Sequence, residues 1–303
     1  CSMPILISGS MAFDNILAFN GRFADHILPQ QVEKLSVSFL TPHMRSDYGG
    51  CAGNIAYAVK QLGGDPLLLA TVGKDGGHYL ERLRQMKIDT GHVVMREDCY
   101  TAQCTIVTDE NQNQITAFHP GAMGLAHEHE VPADASIALA IVSPNSKEAM
   151  QSHAKQLHAA GIPFVFDPGQ AMPQFSADEL QQLIEQASWL ALNDYEAFLL
   201  SERMGCDRAA LSVQVRGMVV TLGDKGCEIW QEGDCQSIDP ITPAEVVDPT
   251  GCGDAWRGAL LHGLQQGWDL LRCARLGNYM GAVKVAHRGP QNYRINADEV
   301  QTF

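Results

Sequence analysis

Short apolar runs that fail to alternate with polar residues constrain this chain more than any other feature. Residues 5–7, 67–72, 138–142, 164–166, 190–192 and 218–222 are apolar at nearly every position. A strand with one wet face alternates, whereas a strand covered on both faces has no polar side to show, and such strands belong to parallel sheets. Between these runs, residues 54–62, 79–86, 147–160, 177–187 and 194–204 carry apolar side chains at helical spacing. The repeat of strand and helix predicts a three-layer, doubly wound α/β fold around a mostly parallel sheet. A chain of 303 residues buries such a core without disulfide or metal staples.

Two stretches, 13–44 and 96–118, break the rhythm. They are polar, with period-two patterning in Thr101-Ala102-Gln103-Cys104-Thr105-Ile106-Val107 and a turn signal at Asn111–Asn113. We read them as a small β lid over the main domain, which then comprises 1–12, 45–95 and 119–303. Two surface excursions with no common role would also fit the pattern.

The net charge of −14 argues against a nucleic-acid binder. It leaves room for a phosphate-bearing ligand, because backbone N–H groups hold anions without Lys or Arg. Nine cysteines, odd in number and lacking any C-x-x-C pair, read as reduced thiols and predict a cytoplasmic location. No apolar stretch is long enough to span a membrane, and no signal peptide is evident. Met3 reads as the initiator, with Cys1-Ser2 added ahead of it.

Ligands of doubly wound sheets sit beyond the carboxyl ends of the strands. That directs attention to Asp14, Asp167, Asn193–Glu196, Gly223 and the segment Asp248 to Asp254. In the last, Val246-Val247-Asp248-Pro249-Thr250-Gly251-Cys252-Gly253-Asp254 passes through a Gly-rich turn into a helical pattern. Glycines allow close backbone approach, and the N–H groups of a helix N-terminus suit a transferring phosphoryl group. A carboxylate there can take a proton from an attacking hydroxyl. By composition alone, Asp254 could equally be a capping residue.

Asp248-Pro249-Thr250-Gly251-Cys252-Gly253-Asp254-Ala255-Trp256 resembles the D-T-x-G-A-G-D-x-F signature of the ribokinase-like (PfkB) carbohydrate kinases. Gly49-Gly50-Cys51-Ala52-Gly53-Asn54 resembles their G-G-x-x-x-N, Asn193-Asp194-Tyr195-Glu196 their N-x-x-E, and Thr221-Leu222-Gly223-Asp224-Lys225-Gly226 their T-x-G-x-x-G. All four keep the family's order and together span most of the chain. Residues 49–57, 115–123 and 166–170 carry a narrower likeness to bacterial nucleoside kinases and adenosine kinases.

The resemblance implies an ATP-dependent phosphotransferase with Asp254 as base and the amides of Gly251, Cys252 and Gly253 as an anion hole. It implies that Asn193 and Glu196 organise Mg²⁺ and phosphates, Glu196 through water. A capping box opening the next helix fits the same two residues. Thr221, Gly223 and Gly226 would line the ATP site, and Asn278 would reach the nucleotide base, unless it is an ordinary polar helix residue. Asp248 would be the side-chain ligand of a monovalent cation, K⁺ by analogy. On the acceptor side, Asp14 would hold a vicinal diol, with Gly49, Gly50 and Asn54 beside it and Gln170 at a base edge. Cys51 stands where ribokinase proper tends to carry Lys, which leans toward a nucleoside acceptor. Phe13, Phe39, Met44 and Phe118 could sandwich a nucleobase or simply pack the lid.

No Walker A string occurs, and Trp256 stands where a dinucleotide fingerprint needs its third Gly. His127-Glu128-His129 lacks helical metal-ligand spacing. The expected activity is thus phosphorylation of a nucleoside 5′-hydroxyl. A free sugar such as fructose or ribose is the alternative acceptor, and a non-catalytic binding module is the rival class. The chain could act as a monomer or pair through its lid.

Overall fold

The computed structural model describes residues 3–303, so Cys1 and Ser2 lie outside it. Thirteen strands form two sheets. The larger contains β1 (Ile5–Ser8), β4 (Pro66–Gly73), β5 (Val93–Arg96), β8 (Leu139–Val142), β9 (Phe164–Phe166), β10 (Trp189–Asn193), β11 (Gly217–Thr221), β12 (Cys227–Gln231) and β13 (Asp234–Ile238). Their spatial order is β13-β12-β11-β10-β9-β8-β1-β4-β5. Pairing is parallel from β5 to β11, and β12 and β13 extend that edge as an antiparallel hairpin.

The non-alternating runs have the cause assigned to them. Ile5 and Ile7 enter one core with Leu68 and Ala70, while Leu6 enters a second core with Leu67 and Leu69. Each strand therefore feeds both faces of the sheet. The first core is covered by α1 (Cys51–Gln61), α2 (Gly77–Gln85), α7 (Cys252–Gln265) and α8 (Leu270–Val285). The second is covered by α3 (Lys147–Ala159), α4 (Ala177–Gln186), α5 (Asp194–Met204) and α6 (Arg208–Ser212). A short α9 (Ala297–Val300) packs Val300 against the α7–α8 side.

The smaller sheet has four strands in the order β3-β2-β6-β7: β2 (Ala12–Ala18), β3 (His43–Gly49), β6 (Ala102–Thr108) and β7 (Gln114–His119). Its make-up differs from the sequence expectation in three places. Strand β3 continues to Gly49, so residues 45–49 pair within the small sheet. Val93–Arg96 pairs with β4 in the large sheet, so only residues from 102 onward join the small one. Residues 19–42 contribute short 3₁₀ turns and no strand, with Phe19, Phe23 and Phe39 clustered together. The hairpin at 109–113 forms because Asp109 Oδ1 accepts the N–H groups of Asn111 and Asn113.

Candidate active site

Two helices begin at the same place. The chain enters α1 through Gly50 (φ 85°) and α7 through Gly251 (φ 82°). Both positions need the left-handed backbone that only glycine adopts cheaply, and a Cβ at Gly251 would stand 2.6 Å from Pro290 Cβ. Neither glycine offers a side-chain cap; at α1 Ser10 takes up the first N–H groups, Cys51 N on its Oγ at 3.0 Å and Ala52 N on its carbonyl at 2.9 Å, whereas α7 keeps orphan N–H groups at its positive dipole end. The N–H groups of Gly251 and Gly253 have no acceptor among the described residues. Cys252 differs from the expected three-amide hole, because its N–H donates to Pro249 O at 3.1 Å in the turn.

Asp254 lies in the first turn of α7 and does not cap it. Its Oδ2 accepts from Asn54 Nδ2 at 2.9 Å, which joins α1 to α7 across the site. The Asp254 carboxyl is raised to about 7, chiefly by burial, with Asp167 and Asp14 adding to the rise and the Asn54 bond and Arg257 opposing it. A carboxyl in that range is a competent proton acceptor near neutrality. Behind Asn54 stands a group invisible to sequence reading. Gln291 Nε2 donates to Asn54 Oδ1 at 3.0 Å and approaches the Tyr79 hydroxyl at 2.8 Å, and that hydroxyl donates to Gly49 O at 2.7 Å. Because Gln291 takes the oxygen end of the Asn54 amide, the nitrogen end must face Asp254.

A cleft of about 390 Å³ opens in front of Asp254. Cys51, Asp167, Gln170, Asn193, Glu196, Thr221, Gly223, Gly253 and Arg257 line it, so the ends of β9, β10 and β11 and the starts of α1 and α7 converge as the topology requires. Burial holds the Cys51 thiol well above its usual range, so it is a neutral group there. Asn193 and Glu196 do form a capping box: Asn193 Oδ1 accepts from Glu196 N at 2.8 Å and Glu196 Oε1 from Asn193 N at 3.0 Å. Glu196 Oε2 has no donor among the described residues, which leaves one oxygen for the cleft.

Arg257 was not singled out from sequence. It sits one turn after Asp254, only 4% exposed, with Nε 3.3 Å from Asp167 Oδ2, Nη1 donating to Gly253 O at 3.3 Å and Nη2 3.9 Å from Glu196 Oε1. A lone Arg on the apolar face of a helix is the signal that could have found it. Burial raises its partner Asp167 to about 6, against the pull of Arg257.

Asp14 lies on β2 beside Gly49, where an added Cβ would come within 2.5 Å of Asp14 Oδ2. Burial raises its carboxyl to about 6, helped by Asp47 and Asp248 and opposed by Arg45. Registers across the small sheet place Asp47, Asp14, Cys104 and Phe118 in one cross-strand row, and Arg45, Ile16, Ile106 and Thr116 in the row two residues along. Rows two residues apart share a face. Phe118, 55% exposed, therefore stands on the Asp14 side of the sheet. Met44 pairs with Leu17 and falls on the other side. Phe13 is buried and stacks on His78 at 4.8 Å, and Phe39 packs on Phe19 and Phe23, so packing accounts for both.

Two expected ATP residues stay out of the cleft. Asn278 is buried, accepts from Trp256 Nε1 at 3.0 Å and donates to Asp239 O at 2.8 Å, so its amide is spent on packing α8. Gly226 (φ 87°) closes the turn before β12, where Leu222 N donates to its carbonyl at 2.9 Å.

Residues 21–296 match the pfkB family of carbohydrate kinases. This chain belongs to that family and is an ATP-dependent kinase. A nucleoside kinase of Methanocaldococcus jannaschii is 30% identical over 268 residues, covering 88% of each chain. The structure of Burkholderia thailandensis nucleoside kinase in complex with inosine superposes with TM-score 0.88 and 42% identity, covering 98% of this chain and 96% of that one. The same enzyme in complex with ADP-inosine gives TM-score 0.86 and 44% identity over 98% and 94% of the two chains.

Proposed function

We propose that this chain transfers the γ-phosphoryl group of ATP to the 5′-hydroxyl of a nucleoside. The observation that carries the reading is the Asp254 carboxyl: raised into the neutral range by burial, fixed by Asn54, and lining the cleft in the first turn of α7, next to the N–H groups of Gly251 and Gly253 that are free among the described residues. The acceptor hydroxyl attacks phosphorus, the bond from phosphorus to the β-phosphate oxygen breaks, and the hydroxyl proton passes to Asp254. Exposed amides at the α7 N-terminus take up the charge on the transferring group. Arg257 lies buried beneath, holding Asp167 and Glu196 in place.

A nucleoside suits the acceptor side better than a free sugar. Asp14 has the two acceptor oxygens a ribose diol needs. Its sheet face carries Ile16, Ile106, Cys104 and the exposed ring of Phe118, an apolar surface of the size and character of a base. Inosine, the ligand of the Burkholderia thailandensis enzyme, is our first candidate.

Bound Mg²⁺ would supply charge neutralisation at the phosphates. Among the described residues no group of three or more His, Cys, Asp or Glu side chains could hold a metal ion by itself, so the phosphate oxygens and water would provide most ligands. Glu196 Oε2 is the side-chain oxygen suited to an outer position. We place the chain in the cytoplasm, where ATP is available. Among the described residues the eight cysteines are all unpaired, and no helix is long and apolar enough to cross a membrane.

An ADP-release assay across nucleosides and free sugars tests the reading. We expect the highest kcat/KM with a purine nucleoside. A higher value for fructose or ribose would move the assignment to a sugar kinase. Calorimetric binding of nucleosides without any ADP release would point to a module that has lost the reaction.

A further inference from the structure

The family resemblance puts a monovalent cation at Asp248, and the side chains around that residue do not fit one. Both carboxylate oxygens of Asp248 already accept main-chain N–H groups, Oδ1 from Thr250 at 3.0 Å and Oδ2 from Gly289 at 2.7 Å. Arg45 Nη2 stands 3.7 Å from the same Oδ2. More telling is Lys284, in the last turn of α8, whose side chain is 0% exposed. Its ammonium donates to Asp248 O at 2.7 Å and to His287 O at 2.9 Å. A fully buried ammonium persists only where carbonyl or carboxylate oxygens replace its water. Here two main-chain carbonyls, the negative end of α8 and the nearby Asp248 and Asp47 do so.

The location matters more than the burial. Asp248 O belongs to the segment that turns through Gly251 into α7, and His287 O to the segment that leads to Pro290, against which Gly251 packs. Val285 O accepts from both Val247 N and Asp248 N, so the end of α8 holds the strap from below. Lys284 thus clamps the two backbone segments that shape the Gly-rich turn, and it sets one fixed positive charge behind the turn's amides. Those are the two tasks a bound monovalent ion could perform at this place. A second cation beside a buried ammonium would meet like-charge repulsion, and each Asp248 carboxylate oxygen already accepts a main-chain N–H.

We propose that Lys284 stands in for the monovalent cation, so that this chain works without K⁺ at Asp248. The kinetic arm of the test rests on the kinase reading above; the melting arm does not. Purified protein freed of K⁺ and NH₄⁺ is titrated with KCl at constant ionic strength, against tetramethylammonium chloride. We expect kcat and KM to stay within about twofold and Tm not to move, since an ion that binds only the folded state would raise it. K⁺-specific activation or stabilisation of the wild-type chain overturns the proposal.

Lys284→Ala removes the ammonium and leaves room. We expect a loss of kcat of roughly tenfold to a hundredfold, the scale of losing one electrostatic contact near a reacting phosphate. KCl or NH₄Cl should raise its Tm and restore part of its rate. A folded Lys284→Ala chain with wild-type kcat in the absence of K⁺, or an impaired one blind to both salts, counts against the proposal. Should that variant fail to fold, the wild-type titration decides alone. If no acceptor supports ADP release, the kinase reading fails, and the wild-type Tm response still tests the ion question.

Discussion

Asp248 and Asp254 lie six positions apart in one Gly-rich segment and have opposite environments. Burial would raise Asp248, but the N–H groups of Thr250 and Gly289 hold its carboxyl below the usual range. Asp254 receives one side-chain bond, from Asn54, and burial lifts it to about 7. The first carboxylate has a main-chain donor on each oxygen, and the second has a single side-chain donor. The same residue type thus serves as a strut in one place and is our proposed base in the other. What separates them is the number of N–H groups pointed at each.

The largest expected effect breaks that contrast at the base. Asp254→Asn keeps shape and the Asn54 contact but cannot accept a proton, and kcat should fall by about 10²–10⁴. Near-wild-type turnover would remove Asp254 from the mechanism. The corresponding change at the strut should act differently. Asp248→Asn loses charge-assisted bonds to Thr250 and Gly289, so we expect a Tm drop of several degrees with a loss of kcat nearer tenfold. Equal kinetic losses at the two sites would erase the distinction.

Gln291→Met sharpens the comparison from behind. Without Gln291 the Asn54 amide can turn its oxygen toward Asp254, which removes the bond that lowers the Asp254 pKa. In the wild-type chain kcat/KM should rise with pH and level off above about 7, because the base must be deprotonated. In the variant that limb should move to higher pH, with much of the loss at neutrality, on the order of tenfold, recovered in alkali. A uniform loss at every pH would assign Gln291 a packing role alone.

Two smaller effects concern stability. A carboxyl whose folded pKa is raised binds more protons folded than unfolded, so stability falls as pH climbs from the ordinary carboxylate range through about 7. Asp254→Asn should remove its share of that slope, leaving the part due to Asp14 and Asp167, and raise Tm by a few degrees at pH 8 while changing little at pH 4. Asn278→Leu should lower Tm by a few degrees and leave KM for ATP unchanged, because that amide bonds Trp256 and Asp239 rather than the cleft. A several-fold rise in KM for ATP would return Asn278 to the nucleotide.

Much of this was legible in the residues. The non-alternating runs foretold strands fed from both faces, and Ile5, Leu6 and Ile7 divide between two cores accordingly. The Gly-rich turn foretold a helix start with uncapped amides. Strand β12 and β13 were missed, since Glu228, Gln231 and Asp234 interrupt the apolar signal on a partly exposed edge. The small sheet was recognised but misbounded at His43–Gly49, because Arg45 and Asp47 look like loop residues until they are seen paired with Ile16 and Asp14 of β2.

By itself the sequence determined the layered α/β architecture, and it pointed to the Gly-rich turn and to Asp254 as the candidate phosphate site and base. Those follow from local periodicity and from chemistry carried within a few consecutive residues. Only the tertiary structure decided how protonated Asp254 is, which way Asn54 faces, that Arg257 and Gln291 stand behind the site, and that Lys284 reaches beneath the turn. Each of these rests on a contact between residues far apart in the chain, such as Asn54 with Gln291 or Asp167 with Arg257. Burial and hydrogen-bond supply depend on such long-range neighbours, and no local pattern encodes them.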